Sequence, residues 1–127
     1  MITMKELNPD NLPLEGAVER NIKTLFERMN EFRGIWGKPM IVTSGLRSDE
    51  KQKALIAEGK SKARLSRHLF GAACDIFDPN KELGRWCLEN EAVLVKIGLW
   101  CEHPDYTRNW VHFQIIPPMS GKRFFIP

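Results

Sequence analysis

Apolar residues recur in steps of three and four along the first quarter of the chain. Leu14, Val18, Ile22, Leu25, Met29 and Phe32 share one face of a helix predicted from about Leu14 to Arg33. Gly34 and Gly37 close it, and Lys38-Pro39 begins a new segment. Met40-Ile41-Val42-Thr43 is short and rich in β-branched residues and ends at Ser44-Gly45, the pattern of a strand feeding a turn. Ser48, followed by Asp49 and Glu50, predicts the N-cap and acidic first turn of a short helix to about Glu58.

The second half reads as alternating short elements. Gly59 to Arg67 has no period and is rich in Lys, Arg and Ser, so it reads as a loop. Gly71 to Phe77 is small, apolar and short, as a buried strand is. Asp78-Pro79 predicts a cap with proline at the first helical position, opening a helix to about Lys96 that packs Leu83, Trp86, Cys87, Leu94 and Ile97. Gly98 ends it, Leu99 to Glu102 is a third strand, and His103 to Asn109 is a polar loop. Trp110 to Ile116 alternates: Trp110, His112 and Gln114 lie on one face, Val111, Phe113 and Ile115 on the other. Pro117-Pro118 stops that strand and an irregular tail follows. This order predicts an α+β fold, with helices packed against a small, largely antiparallel sheet.

Composition narrows the class. A chain of 127 residues with 43% hydrophobic content predicts a single domain over 1–127. No apolar run approaches the ~20 residues that cross a bilayer, so no membrane association is expected. The N-terminal residues show neither the charged nor the apolar region of a secretory signal, which predicts synthesis in the cytoplasm. Cys74, Cys87 and Cys101 are an odd number without C-x-x-C spacing, against a disulfide framework or a cysteine zinc cluster. They read as buried small hydrophobes, with Cys74 on the sheet face opposite Asp75. The net charge of +3 is too mild to imply nucleic-acid binding unless clustered. The one basic run, Lys60, Lys62, Arg64 and Arg67, has no interleaved aromatics; it reads as a solvated loop, or as a cleft rim that attracts an anionic polymer. Of the four tryptophans, Trp36, Trp86 and Trp100 read as core, while Trp110 shares the face of His112.

Candidate chemistry gathers around histidine, present only at His68, His103 and His112. Two imidazoles and one carboxylate leave a fourth zinc position open for water, as catalytic sites require. His68 and Asp75 bracket a tight turn at Gly71, and His112 comes from a neighbouring strand, so the three can converge on one metal. The same residues also admit a plainer account, a half-exposed strand histidine and a turn-forming aspartate. The helical H-E-x-x-H arrangement is absent.

The spacing Ser66-x-His68-x-x-Gly71-x-Ala73-x-Asp75 resembles the S-x-H-x-x-G-x-A-x-D motif of LAS-type zinc peptidases. That group comprises D-alanyl-D-alanine carboxypeptidases and dipeptidases, phage L-alanyl-D-glutamate endolysins and the hedgehog zinc domain. Trp110-Val111-His112 is similar to the element that carries the group's last zinc ligand, and Ser44-Gly45-Leu46-Arg47-Ser48 resembles its S-G-[YF]-R-[ST] strand end, with Leu46 in the aromatic position. The three pieces occur in family order from about Pro39 to Gln114. The resemblance implies a hedgehog-like sheet with zinc in the cleft, held by His68, Asp75 and His112. It further implies a monomeric peptidase of carboxypeptidase or endolysin type, acting on peptidoglycan stem peptides after release or from a virion.

On that resemblance Arg47 holds a substrate carboxylate or stabilises the oxyanion, or else caps a turn or pairs with Asp49. Ser66 orients His68 or contacts substrate, and Trp110 lines the groove. The general base is the departure: relatives carry an acid shortly before the final histidine, and here no acid lies two to six positions before His112. Glu102, at the end of the adjacent strand, is the first candidate and Asp105 the second; His103 is a candidate helper at the oxyanion, or a surface residue. A catalytically inactive zinc-binding structural or virion protein of the same fold is the alternative.

Overall fold

In the computed structural model, which describes residues 1–57 and 67–127, the N-terminal periodic segment forms a long helix preceded by a one-turn helix. The short one, α1 (Met4–Leu7), carries a capping box in which the Thr3 side chain and Glu6 satisfy each other's backbone N–H groups. Four residues are too few to show a period, but Thr3-x-x-Glu6 is its sequence signature. Helix α2 (Gly16–Trp36) buries Ile22, Leu25, Met29 and Phe32, four of the six stripe residues the spacing predicts; Val18 is half-buried, and Leu14, also half-buried, precedes the helix. It runs through Gly34 and ends at Gly37, which takes the left-handed conformation at φ 77° and donates its N–H to the Arg33 carbonyl.

Strand β1 (Val42–Ser44) and helix α3 (Asp49–Ala57) follow as predicted, each within two residues of its expected bounds. Arg67 to Phe70 forms a single 3-10 turn leading to β2 (Ala73–Phe77). The helix expected from Pro79 to Lys96 is two helices, α4 (Glu82–Glu89) and α5 (Glu91–Ile97), which meet at Asn90. Pro79 is not the first helical residue. Asp78 instead caps α4 from a distance, accepting from the N–H groups of Leu83 at 3.1 Å and Gly84 at 2.9 Å. Lys81 spans the gap in the left-handed conformation, φ 58°, and its ammonium donates to the carbonyls of Pro104 and Thr107. The loop before α4 is thereby tied to the loop after β3 (Trp100–Glu102).

The sheet is completed by β4 (Trp110–Gln114) and β5 (Phe124–Phe125), in the order β1-β2-β4-β3-β5. All pairs are antiparallel except β3–β5, which is parallel. The tail expected to be irregular thus adds an edge strand. Cys101 donates its N–H to Arg123 at 2.9 Å and His103 to Phe125 at 2.8 Å, while the Arg123 guanidinium stacks 3.7 Å over the Trp100 ring. Two residues after a Pro-Pro and a Gly cannot display the alternation that marks a strand.

Register then divides the residues between faces. Cys74 opposite Phe113 and Ile76 opposite Val111 point into the core, and all four are buried. Phe113 meets Phe32 of α2 with ring centroids 5.1 Å apart, and Phe32 meets Trp86 of α4 at 5.7 Å. Fully burying an aromatic of this size contributes roughly 1.5–3 kcal/mol. Trp36 and Trp86 lie half-buried against this core, whereas Trp100, expected within it, pairs with Gln114 and so stands on the other face, under the Arg123 guanidinium. The opposite face carries the pairs Ala73–Gln114, Asp75–His112 and Phe77–Trp110.

Candidate metal centre

That second face is where the chemistry collects. His68 sits in the 3-10 turn and is 2% exposed. Between it and Asp75 the chain reverses at Gly71, whose φ of 69° disfavours any side chain. A Cβ there would also lie 3.1 Å from the Val18 carbonyl oxygen, so the turn can press against α2 only as glycine. Asp75 stands in the middle of β2 and His112 directly opposite it on β4. Ligand-type atoms of His68, Asp75 and His112 all lie within 4.8 Å of one another. Asp75 Oδ1 is 2.9 Å from His112 Nδ1 and 3.3 Å from His68 Nε2.

Zinc with three ligands at about 2.0–2.1 Å in tetrahedral geometry separates neighbouring ligand atoms by roughly 3.3–3.5 Å. The two Asp75–histidine spacings, 2.9 and 3.3 Å, lie close to that, and the donor set of two imidazoles and a carboxylate is one zinc accepts. The residues present therefore fit the ion.

His68 is held by backbone. Its Nδ1 lies 2.9 Å from the Gly45 carbonyl, which can only accept, so Nδ1 carries a hydrogen and Nε2 is the nitrogen turned toward Asp75. Gly45 is itself clamped: Leu46 donates its N–H to the Leu7 carbonyl at 2.7 Å, and a Cβ on Gly45 would overlap that oxygen and lie 2.7 Å from its carbon. The glycine of the Ser44-Gly45-Leu46-Arg47 segment is thus required by close approach of α1.

The cluster perturbs its own titration. Burial works against the ionised form of Asp75, but the positive charge of His68 and the hydrogen bonds from His112 and His68 outweigh it and hold the carboxyl well below its ordinary value. Burial likewise opposes protonation of His112, yet its hydrogen bond and attraction to Asp75 prevail and raise it. For His68 burial wins over the pull of Asp75, and its value is lowered. Burial pushes the Cys74 thiol far up, in keeping with an inert core residue.

Two further candidates join this face. The register Trp100–Gln114 and Cys101–Phe113 sets Glu102 beside His112 at the end of β3. Burial raises the Glu102 carboxyl above its ordinary range, and the charges of His112 and Asp75 act on it in opposite directions. Arg47 donates its backbone N–H to the His68 carbonyl at 3.1 Å and its Nε to Ser44 Oγ at 3.0 Å. Its guanidinium lies 3.6 Å from Asp75 Oδ2. Burial lowers its value, against the pull of Asp75. Trp110 lies across from Phe77 on the same face, and the Phe125 ring of β5 stands edge-on to His112, centroids 6.0 Å apart.

His103 and Asp105 are engaged elsewhere. His103 caps a 3-10 turn, Pro104–Tyr106, accepting from the Asp105 N–H at 3.1 Å, and its ring packs against Tyr106 and Phe124. The Asp105 side chain is 82% exposed and pairs with His103. Ser66, Lys60, Lys62 and Arg64 lie outside the described residues. Sequence reasoning did not single out the Gly45 carbonyl, which a backbone atom's anonymity hides. Nor did it single out Gln114, whose only signal is that it alternates onto the face of His112.

The Peptidase M15 family model matches residues 1–113, and the chain belongs to that family. No curated protein matches it. Among solved structures, the L-Ala D-Glu endopeptidase ChiX of Serratia marcescens has the same fold, with a TM-score of 0.57 at 18% identity over 91% of this chain and 98% of that one.

Proposed function

We propose that the protein is a zinc-dependent peptidase that hydrolyses a peptide bond in the stem peptides of bacterial peptidoglycan. The observation that carries this reading is the convergence of His68, Asp75 and His112 on one spot with Glu102 beside them. The substrate class is supported by family membership and by the similarity to an L-Ala D-Glu endopeptidase. Bound by these three ligands, zinc would supply an acidified water and a Lewis acid for the scissile carbonyl.

The protein's own groups divide the remaining work. Glu102 takes a proton from the attacking water as oxygen bonds to the carbonyl carbon, and returns it to the leaving nitrogen as the C–N bond breaks. Its raised carboxyl value brings its proton affinity closer to that of the groups it serves. Arg47, its backbone N–H and Nε anchored and its guanidinium beside Asp75, is the cation placed to meet a substrate carboxylate or the developing oxyanion. Trp110, Phe77 and Phe125 supply apolar walls for the peptide.

The test combines metal content with turnover. Purified protein should carry equimolar zinc, lose it in His68→Ala and His112→Ala, and release amines from purified peptidoglycan. Glu102→Gln should keep zinc while losing roughly 10²–10⁴-fold in rate. A zinc-free wild type, or a Glu102→Gln variant of undiminished rate, refutes the respective assignment. A zinc-loaded wild type that releases no amine favours the inactive structural reading.

A further inference from the structure

We infer that Gln114 is a positioning residue that makes His112 a metal ligand through Nδ1, an inference that rests on the zinc reading above. Gln114 is 4% exposed, and both ends of its amide are committed. One end lies 2.7 Å from the Ile116 carbonyl, which can only accept, so that end is the amide nitrogen. The other end is therefore the oxygen, 2.9 Å from His112 Nε2. An amide oxygen can only accept, so His112 Nε2 carries a hydrogen.

An imidazole that keeps its hydrogen on Nε2 has its lone pair on Nδ1 when neutral. Nδ1 is the atom that lies 2.9 Å from Asp75 Oδ1, at the centre of the cluster. A backbone carbonyl two residues past Gln114 thus dictates, through that side chain, which nitrogen of His112 meets the metal. The arrangement is the counterpart of His68, where the Gly45 carbonyl holds Nδ1 and leaves Nε2 as the ligand.

Competition makes this more than packing. The Asp75 carboxylate is a strong acceptor beside Nδ1 and draws the imidazole hydrogen there, onto the atom that must be bare to bind metal. Gln114 supplies the opposing acceptor. It also fixes ring rotation, since it holds the ring nitrogen opposite the one that meets Asp75. Outer partners of metal-bound histidines act in this way, and their removal costs about 10–100-fold in metal affinity.

Two variants and one spectrum test it. In zinc-loaded wild type, long-range 1H–15N spectra should show His112 coordinated through Nδ1, with an Nε2–H slow to exchange with water. Gln114→Met keeps length and removes the acceptor; chelator competition should find zinc bound about 10–100-fold more weakly, with the Nε2–H exchanging freely. Gln114→Glu keeps the acceptor for Nε2 but, when ionised, cannot donate to the Ile116 carbonyl, so it should keep the protected Nε2–H and bind zinc more tightly than Gln114→Met. Coordination of wild-type His112 through Nε2 overturns the inference without any variant. So does equal zinc affinity in wild type and Gln114→Met, or a loss in Gln114→Glu as large as that in Gln114→Met. A wild type that takes up no zinc removes the metal reading itself, a result distinct from these.

Discussion

Replacing Gly45 by alanine puts a methyl group where the Leu7 carbonyl already is. The new carbon would overlap that oxygen and lie 2.7 Å from its carbon and 2.9 Å from its Cα, all backbone atoms that cannot rotate away. Either α1 or the strand end must move by about an ångström, and overpacking of this kind costs typically 1–3 kcal/mol. For a domain of this length each kcal/mol corresponds to roughly 3–6 °C in Tm, so a fall of roughly 3–18 °C is expected. The displacement has a second consequence. The Gly45 carbonyl accepts from His68 Nδ1, and the Leu46 N–H donates to Leu7, so relief of the clash moves the group that orients a ligand. Zinc affinity should fall about tenfold or more, as for loss of an outer histidine partner. Calorimetry of the chelator-treated protein reads the first effect and competition with a zinc chelator the second. A Gly45→Ala protein with wild-type Tm and wild-type zinc affinity would refute the close-approach argument.

Gly34→Ala is the matched opposite: Gly34 lies inside α2, a Cβ there would meet nothing within 4 Å, and the helix gains about 0.5–1 kcal/mol from losing a glycine. Its Tm should rise, and a fall would contradict the open environment. The depressed carboxyl of Asp75 predicts an acid limb in the metal-free protein. Below about pH 4 the unfolded chain takes up a proton that folded Asp75 refuses, so stability falls as pH drops toward the folded value. Urea midpoints between about pH 2.5 and 5 should show this slope in wild type and a flatter one in Asp75→Asn; equal slopes would contradict it.

Much of the site is legible in the sequence because its residues are chemically distinctive and locally spaced. His68, Gly71 and Asp75 lie within eight consecutive positions, and the clean alternation of Trp110 to Gln114 already places His112 and Gln114 on one face. Helix α2 is equally plain, since a 21-residue helix repeats its apolar stripe several times. The elements that escape are those too short to repeat: the single turn of α1, the two-residue β5 and the break at Asn90 that divides α4 from α5.

The sequence by itself determined which side chains could hold a metal and that helices and strands would share one core. Pairing decided the rest. Sequence order made β3 a candidate neighbour of His112, but the order β1-β2-β4-β3-β5 and its register are what set Glu102 next to His112, ten positions on in the chain. The same pairing turned His103 and Asp105 into a capped turn. It also brought two acceptors, the Gly45 carbonyl and the Gln114 amide, to opposite nitrogens of the two histidines. A carbonyl has no residue type to read, and a glutamine becomes informative only when its partners are known. The choice of ligand atom therefore belongs to the tertiary structure.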